Sequence, residues 1–161
     1  MSVKKIDIIG AGLVGSLLAI YLAKRGYEVN IFEGRGDMRG IGMSQGRSIN
    51  LALSNRGWKP LREVGLESTI EKMVIPMRGR MMHDEEGLLT FQPYGREGQA
   101  INSISRGGLN EVLMTEAEKL GVKIHFNHRC VGINFDDSII HYSHNDIKGQ
   151  HSSDIIIGSD G

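Results

Sequence analysis

Cysteine is almost missing from this 161-residue sequence. Cys130 is its one thiol, so no internal disulfide can form and a reducing, cytoplasmic setting is expected. An excess of charge of either sign is missing too. Nineteen Lys and Arg stand against nineteen Asp and Glu, interspersed without a long basic or acidic block, which argues against nucleic acid as a partner. No apolar run approaches the roughly 20 residues that a membrane-spanning helix needs, and no charged-then-apolar leader precedes the first apolar segment. A metal-ligand set is also lacking. His125 and His128 sit three apart and His141, His144 and His151 follow, but strand alternation is expected to scatter them over both faces, with no acid or cysteine set to complete a site. Ser44, Ser48 and Ser54 lack the strand-to-helix elbow of a hydrolase nucleophile. Cys130 and the eight methionines read as packing.

What the sequence does have is glycine in a telling place. An apolar segment, Val3 to Ile9, runs into Gly10-Ala11-Gly12-Leu13-Val14-Gly15, and Leu13, Leu17, Leu18, Tyr21 and Leu22 then fall at helical spacing. Lys24-Arg25-Gly26 closes that helix with basic residues and a glycine, Val29 to Phe32 reads as a second strand, and Glu33 follows it. This is the arrangement of a dinucleotide-binding turn. Gly10 permits the tight exit from the strand, Gly12 lets the backbone approach a pyrophosphate, and Gly15 lets the helix pack on the sheet. Unpaired N–H groups and the positive end of the helix dipole favour the anion there. Glu33 stands where an acid accepts hydrogen bonds from a ribose, and its charge disfavours a 2′-phosphate.

Further along, the glycine-rich stretch 34–46 reads as a loop, 47–54 as an apolar segment, and Asn55 to Val64 as a helix closed by Gly65. The stretch 74–104 holds short alternating pieces with a turn at Asp84-Glu85-Glu86-Gly87 and is expected to form an antiparallel excursion on the substrate side. After Ser105, the positions of Leu109, Val112, Leu113 and Ala117 predict a second crossover helix ending at Gly121, with Val122 to Phe126 as the next strand. Val131 to Phe135 and Ser138 to Ser143 are expected to pair as a hairpin, and Asp154 to Gly158 to return to the sheet. A parallel strand at the very end normally leads into another crossover, so the chain is expected to be the N-terminal part of a longer protein. The fold class these elements predict is α/β, a Rossmann-like parallel sheet with an antiparallel β excursion.

Several separated segments carry a resemblance. They are Gly10 to Gly15 with Glu33, Gly46-Arg47-Ser48-Ile49-Asn50-Leu51-Ala52-Leu53-Ser54, and Asp160-Gly161. With them go Ile75-Pro76-Met77-Arg78-Gly79-Arg80-Met81-Met82-His83-Asp84, Gln92-Pro93-Tyr94-Gly95, and Ile101-Asn102-Ser103-Ile104-Ser105-Arg106 with Leu109-Asn110. Together they resemble the FAD-dependent aromatic hydroxylases, single-component flavoprotein monooxygenases, and within them the branch that hydroxylates kynurenine. The resemblance implies that Gly10, Gly12, Val14 and Gly15 hold the FAD pyrophosphate and that Phe32, Glu33, Gly34 and Arg35 surround the adenosine. It implies that Ala52 lies by the flavin, and that Arg47, Arg106, Cys130 and Asp160 complete the cofactor contacts. Arg80 and Tyr94 would hold the amino-acid end of L-kynurenine, NADPH would serve as co-substrate, and O2 would supply the oxygen. No catalytic acid or base and no metal is implied. Gly34 and Gly36 around Arg35 depart from the bulkier residues usual there.

From the residues alone, three other readings stay open, one of them that this chain taken by itself is a non-catalytic nucleotide-binding piece. The same flavin fold could serve another aromatic ring, and the glycine turn with Glu33 suits NAD as well as FAD, as in a dehydrogenase. Asp160-Gly161 and the segment 46–54 weigh against the dehydrogenase.

Overall fold

The computed structural model describes residues 5–40 and 50–161. In chain order its strands are β1 (Lys5–Ile9), β2 (Glu28–Phe32), β3 (Asn50–Leu53), β4 (Ile75–Met77), β5 (Gly79–His83) and β6 (Leu89–Pro93). There follow β7 (Ile101–Ser105), β8 (Lys123–His125), β9 (Arg129–Asn134), β10 (Ile139–His144), β11 (Ile147–Ser152) and β12 (Ile155–Gly158). The helices are α1 (Leu13–Ala23), α2 (Asn55–Glu63), α3 (Glu67–Glu71) and α4 (Arg106–Lys119), with a short 3-10 turn at Met38–Gly40. The chain is α/β and divides into two compact units, residues 1–46 with 109–161, and residues 47–108. Among the described residues no helix is long and apolar enough to cross a membrane.

The first unit is built on a parallel sheet of order β12-β1-β2-β8. β1 lies inside it, and the run Ile6-Asp7-Ile8-Ile9 is buried throughout, as a strand covered on both faces must be. Its register sets Ile8 beside Ile31 on one side and Ile157 on the other. The expected return of the terminal strand to the sheet is observed, as is the strand after the second crossover helix. β9, β10 and β11 form an antiparallel sheet of their own, and Ile140 from it packs with Ile9 and Phe32 in a common core. Where the sequence predicts a two-stranded hairpin, the structure has a third strand, β11, pairing Ile140 with His151.

That third strand brings polar groups onto a buried acidic side chain. Asp7, fully buried on β1, accepts hydrogen bonds from Asn30 Nδ2 (2.7 Å) and Ser153 Oγ, and His151 Nε2 lies 2.9 Å from its Oδ2. The donor set keeps the buried carboxylate from being left without partners. Four of the five histidines between 125 and 151, all but His141, do not scatter as alternation along strands suggests. Phe32 stacks on His125 at 4.9 Å, His128 on His144 at 4.3 Å, and Phe32 and His151 also meet at 4.9 Å. No group of metal-binding side chains exists among the described residues.

In the second unit β7 is the centre of an antiparallel sheet of order β3-β7-β4, while β5 and β6 pair as a separate hairpin turning at Asp84 to Gly87. Trp58 and Leu61 from α2 and Ile70 from α3 are buried with Leu53 and Ile104. Only α2 was expected from the sequence. α3 is a five-residue helix, too short to show a period.

The ring cluster makes a pH prediction. Burial pushes the His125 imidazole below its ordinary 6.5, and the neighbouring His128, His151 and Lys123 push the same way against Asp7. The unfolded chain therefore takes up this proton at a higher pH than the folded one. The contribution of neutral His125 is complete above 6.5 and is lost as pH falls through the folded value. Thermal midpoints recorded between about pH 8 and 5 are expected to fall on the acid side, and more shallowly in His125→Phe, which keeps a ring against Phe32. Equal slopes in the two proteins would show that His125 is not the group responsible.

Candidate functional site

The glycine turn is shaped by two close approaches. Gly10 has φ of +101°, a region that favours glycine, and a Cβ there would lie 2.9 Å from the Asp160 Cα. A Cβ on Gly15 would stand 2.0 Å from the Gly10 carbonyl oxygen and 2.5 Å from Ser159 Oγ. Helix α1 can seat against the end of β1 only with glycine at that position. Ser159 Oγ in turn donates to the carbonyls of Ile9 (2.8 Å) and Gly10 (3.0 Å), so β12 helps to hold the turn from its other side.

The front of the turn is open. Gly12 is extended and precedes α1 without a side-chain cap, and a Cβ built on it meets no atom within 4 Å. Val14 in the first turn is 68% exposed. Free N–H groups at an uncapped helix start, approached over bare backbone, suit a phosphate.

Glu33, just after β2, is 7% exposed and lies behind the turn. Its Oε2 accepts from the Ala11 N–H (2.9 Å) and Arg35 Nη2 (3.1 Å), and its Oε1 from the Arg35 N–H (2.8 Å) and Nε (2.9 Å). Burial pushes this carboxyl up, but the hydrogen bonds from Arg35 and Ala11 together with the guanidinium charge outweigh it and hold the group below its ordinary 4.5. It is therefore a carboxylate at neutral pH. A cleft beside it is lined by Ala11, Glu33, Arg35, Gly36, Met38, Asn110, Met114 and Phe126. Arg39 fixes two of its walls, pairing with Asp37 and with Glu118 of α4 while its guanidinium lies 5.5 Å from the centre of the Phe126 ring.

The remaining expected cofactor residues fall in varied places. Phe32 is 3% exposed with its ring in the core, so its main chain is what borders the turn, its carbonyl accepting from the Gly10 N–H at 2.8 Å. Gly34 admits Arg129 closely, a Cβ there lying 3.3 Å from the Arg129 Cβ. Cys130 is partly buried against the core of Ile9, Phe32 and Ile140, and its Sγ donates to the Gly132 carbonyl at 3.6 Å. Asp160 stands beside Gly10. In the second unit, Ala52 is exposed on β3 opposite Ser103, and Arg106 is exposed at the start of α4. Arg47 lies outside the described residues.

Arg80 and Tyr94 both belong to the β5–β6 hairpin. Arg80 pairs with Gln92 in register and donates from Nε to Gln92 Oε1 at 2.7 Å, while the Tyr94 N–H donates to the Arg78 carbonyl at 3.0 Å. Strand alternation puts Arg80, Gln92 and Tyr94 on one face. Tyr94 is 44% exposed there.

The structure also adds residues that the sequence did not single out for the site, namely Met38, Asn110, Met114 and Phe126. Asn110 had a signal of its own. It shares the i, i+3, i+4, i+7 spacing of Leu113, Met114 and Ala117, a polar residue on the buried stripe of α4.

The profile of a family described as FAD binding domain matches residues 3–161. The chain belongs to that family. This FAD-binding domain is 48% identical to a kynurenine 3-monooxygenase of Myxococcus xanthus over 97% of the chain and 34% of that protein. It is 47% identical to a kynurenine 3-monooxygenase of Anopheles gambiae over 97% of the chain and 33% of that protein. The chain thus spans about a third of the length of these relatives. Among solved structures, a p-nitrophenol 4-monooxygenase of Pseudomonas putida superposes with a TM-score of 0.79 at 21% identity, over 99% of this chain and 41% of the other. The myxobacterial halogenase CndH, described as FAD-dependent, gives 0.75 at 18%, over 100% of this chain and 38% of the other. At such identities these two show the fold.

The residues present fit the adenosine and pyrophosphate of FAD. An open glycine backbone faces the helix start, and a carboxylate stands behind it. Two substitutions separate fit from folding. Gly12→Ala is expected to leave the thermal midpoint unchanged, since the methyl enters empty space, yet to weaken FAD binding about tenfold or more by blocking the phosphate approach. Gly15→Ala is expected to destabilise the fold itself by about 1–3 kcal/mol through overpacking. Calorimetry with and without FAD reads both, and a Gly12→Ala protein that binds FAD normally would remove the turn from the site.

Proposed function

We propose that this FAD-binding domain is the N-terminal part of a flavoprotein monooxygenase, residing in the cytoplasm, that converts L-kynurenine to 3-hydroxykynurenine with NADPH and O2. The observation that carries this reading is similarity along the whole chain, at 41–48% identity over 97–98% of its residues, to relatives named kynurenine 3-monooxygenase. The chemistry that FAD supplies when bound is acceptance of a hydride from NADPH and activation of O2, one oxygen atom entering the electron-rich aminophenyl ring and the other leaving as water.

The tasks left to this chain's own residues are binding and orientation. The α1 N–H groups and the bare turn of Gly10, Gly12 and Gly15 hold the pyrophosphate, and the Glu33 carboxylate accepts hydrogen bonds from ribose hydroxyls. Arg47, Ala52, Arg106, Cys130 and Asp160 belong to the same cofactor reading. Arg80 offers a guanidinium to the substrate's α-carboxylate, and Tyr94 offers a hydroxyl and a ring. Gln92 supports this, because its bond to Arg80 Nε leaves the terminal nitrogens of the guanidinium for a carboxylate. A ring fixed at its amino-acid end presents one carbon to the oxidant repeatedly, which is how orientation becomes regioselectivity.

The test is NADPH consumption by the full-length protein with and without L-kynurenine, with products read by mass spectrometry. Stimulated consumption and a product heavier by one oxygen are expected. Arg80→Met is expected to raise KM for kynurenine about 10–100-fold while FAD content stays unchanged, the loss of hydrogen bonds to a charged group. A yellow, folded protein whose NADPH use ignores kynurenine would reject the substrate and leave the flavin chemistry standing.

A further inference from the structure

Among the described residues, a single buried side-chain polar atom has no hydrogen-bond partner, and it is Asn110 Oδ1. Asn110 is 6% exposed, and the other end of its amide is well placed, Nδ2 donating to the Ala11 carbonyl at 3.0 Å. That bond fixes the orientation. A carbonyl can only accept, so the nitrogen must face Ala11, and the oxygen is turned the other way.

Ala11 is the middle of the glycine turn, and both ends of it are held. Its N–H is taken by Glu33 and its C=O by Asn110 together with the Ser16 hydroxyl (3.2 Å), and the Glu33 and Asn110 side chains line the same cleft. The cleft offers Oδ1 little from the protein. Met38, Met114 and Phe126 bring no strong donor, and Arg35 turns its Nε and one Nη2 hydrogen toward Glu33. A buried amide oxygen left without a donor is costly, and natural structures rarely tolerate one unless something else completes it.

We propose that Asn110 is a cofactor-positioning residue whose Oδ1 accepts a hydrogen bond from a neutral donor on the adenosine half of FAD. This role rests on the FAD reading above and belongs to a residue 99 positions from Ala11. The donor is neutral because the adenosine half of FAD carries no cationic group, and its anionic phosphates belong at the α1 N-terminus. Two groups on adenosine fit the description, a ribose hydroxyl and the 6-amino group of adenine.

The experiment uses the full-length protein stripped of flavin and titrated by quenching of flavin fluorescence, with no turnover required. Three ligands distinguish the sources: FAD, its hypoxanthine analogue without the amino group, and its deoxyribose analogues. Asn110→Leu keeps the volume of the side chain, and Asn110→Ala, read beside it, removes any demand on packing. Each variant is expected to bind FAD about 10–100-fold more weakly, as for a lost hydrogen bond in a closed site. Loss of the Ala11 contact alone would weaken all ligands equally. The decisive result is therefore discrimination: the wild type should prefer FAD over one analogue class about tenfold, and both variants should lose that preference. Loss of the preference over hypoxanthine identifies the adenine amino group, and loss of the preference over deoxyribose identifies a hydroxyl. Preferences identical in wild type and variants, including a ribose preference held by Glu33 alone, would overturn the proposal while leaving FAD binding intact. A wild type that binds no FAD would reject the underlying reading as well.

Discussion

Everything at the nucleotide end of this chain depends on one contact that has no side chain in it, the approach of Gly15 to the carbonyl of Gly10. With 2.0 Å between that oxygen and any Cβ, the start of α1 can sit over the end of β1 only because glycine leaves the space. Once the helix is seated, its start has no side-chain cap and lies beside bare backbone at Gly12, an arrangement that suits an anion. The rest of the turn is then fixed by polar groups. Glu33 and Asn110 take the two ends of the Ala11 peptide, and Ser159 takes the carbonyls of Ile9 and Gly10. Three distant segments therefore converge on the backbone of three consecutive residues, Ile9 to Ala11, which is how a glycine-rich loop acquires a defined shape.

The opposite arrangement holds beneath Phe32, where side chains rather than backbone set the geometry. Asp7 interrupts an apolar strand with a fully buried carboxylate, and Asn30, His151 and Ser153 surround it. A lone charge there would be far too costly, so β11 has to deliver its residues in one register. A one-residue slip would turn His151 away and strip Asp7 Oδ2 of that partner, leaving Asn30 on Oδ1. The polar cluster thus fixes how the antiparallel sheet sits on the parallel one, a matter that apolar contacts around Ile140 alone would settle less sharply.

These two regions differ in how far they could be read from the sequence, and for the same physical reason. The glycine turn, the helix that follows and Glu33 were readable because they form a pattern of residue types at fixed spacing between a strand, a helix and a second strand, even though Glu33 acts on Ala11 and Gly10 is pressed by Asp160. The histidine cluster was not readable. Alternation along β9, β10 and β11 says which face a residue takes, but the meeting of His128 with His144 depends on register between strands and on packing between sheets. β11 itself, with the polar run Lys148-Gly149-Gln150-His151, carries no apolar alternation, and pairing with β10 alone makes it a strand. Asn110 was visible as a polar residue on an apolar helix face, yet its partner is Ala11, and nothing in a linear pattern points across such a distance. Arg80 and Tyr94 could be set on one face from the hairpin turn, since register in a hairpin follows from its loop.

Arg35 shows how a charge can hold a ligand's place. A carboxylate has about four lone-pair sites, and four N–H groups already fill those of Glu33, three of them from Arg35. A ribose hydroxyl can reach Glu33 only by displacing one of these donors. The Ala11 and Arg35 main-chain N–H groups are fixed by the turn, so the exchange falls on the guanidinium, whose side chain is 59% exposed and can be rehydrated as it leaves. On the proposed cofactor reading, trading one charge-assisted bond for another would make Glu33 a better instrument of selection than of affinity, because its carboxylate would stay satisfied throughout and still repel a 2′-phosphate. On the same reading, affinity for the adenosine would come from groups that the protein itself leaves unsatisfied, and among the described buried side-chain atoms of this cleft Asn110 Oδ1 is the one in that condition.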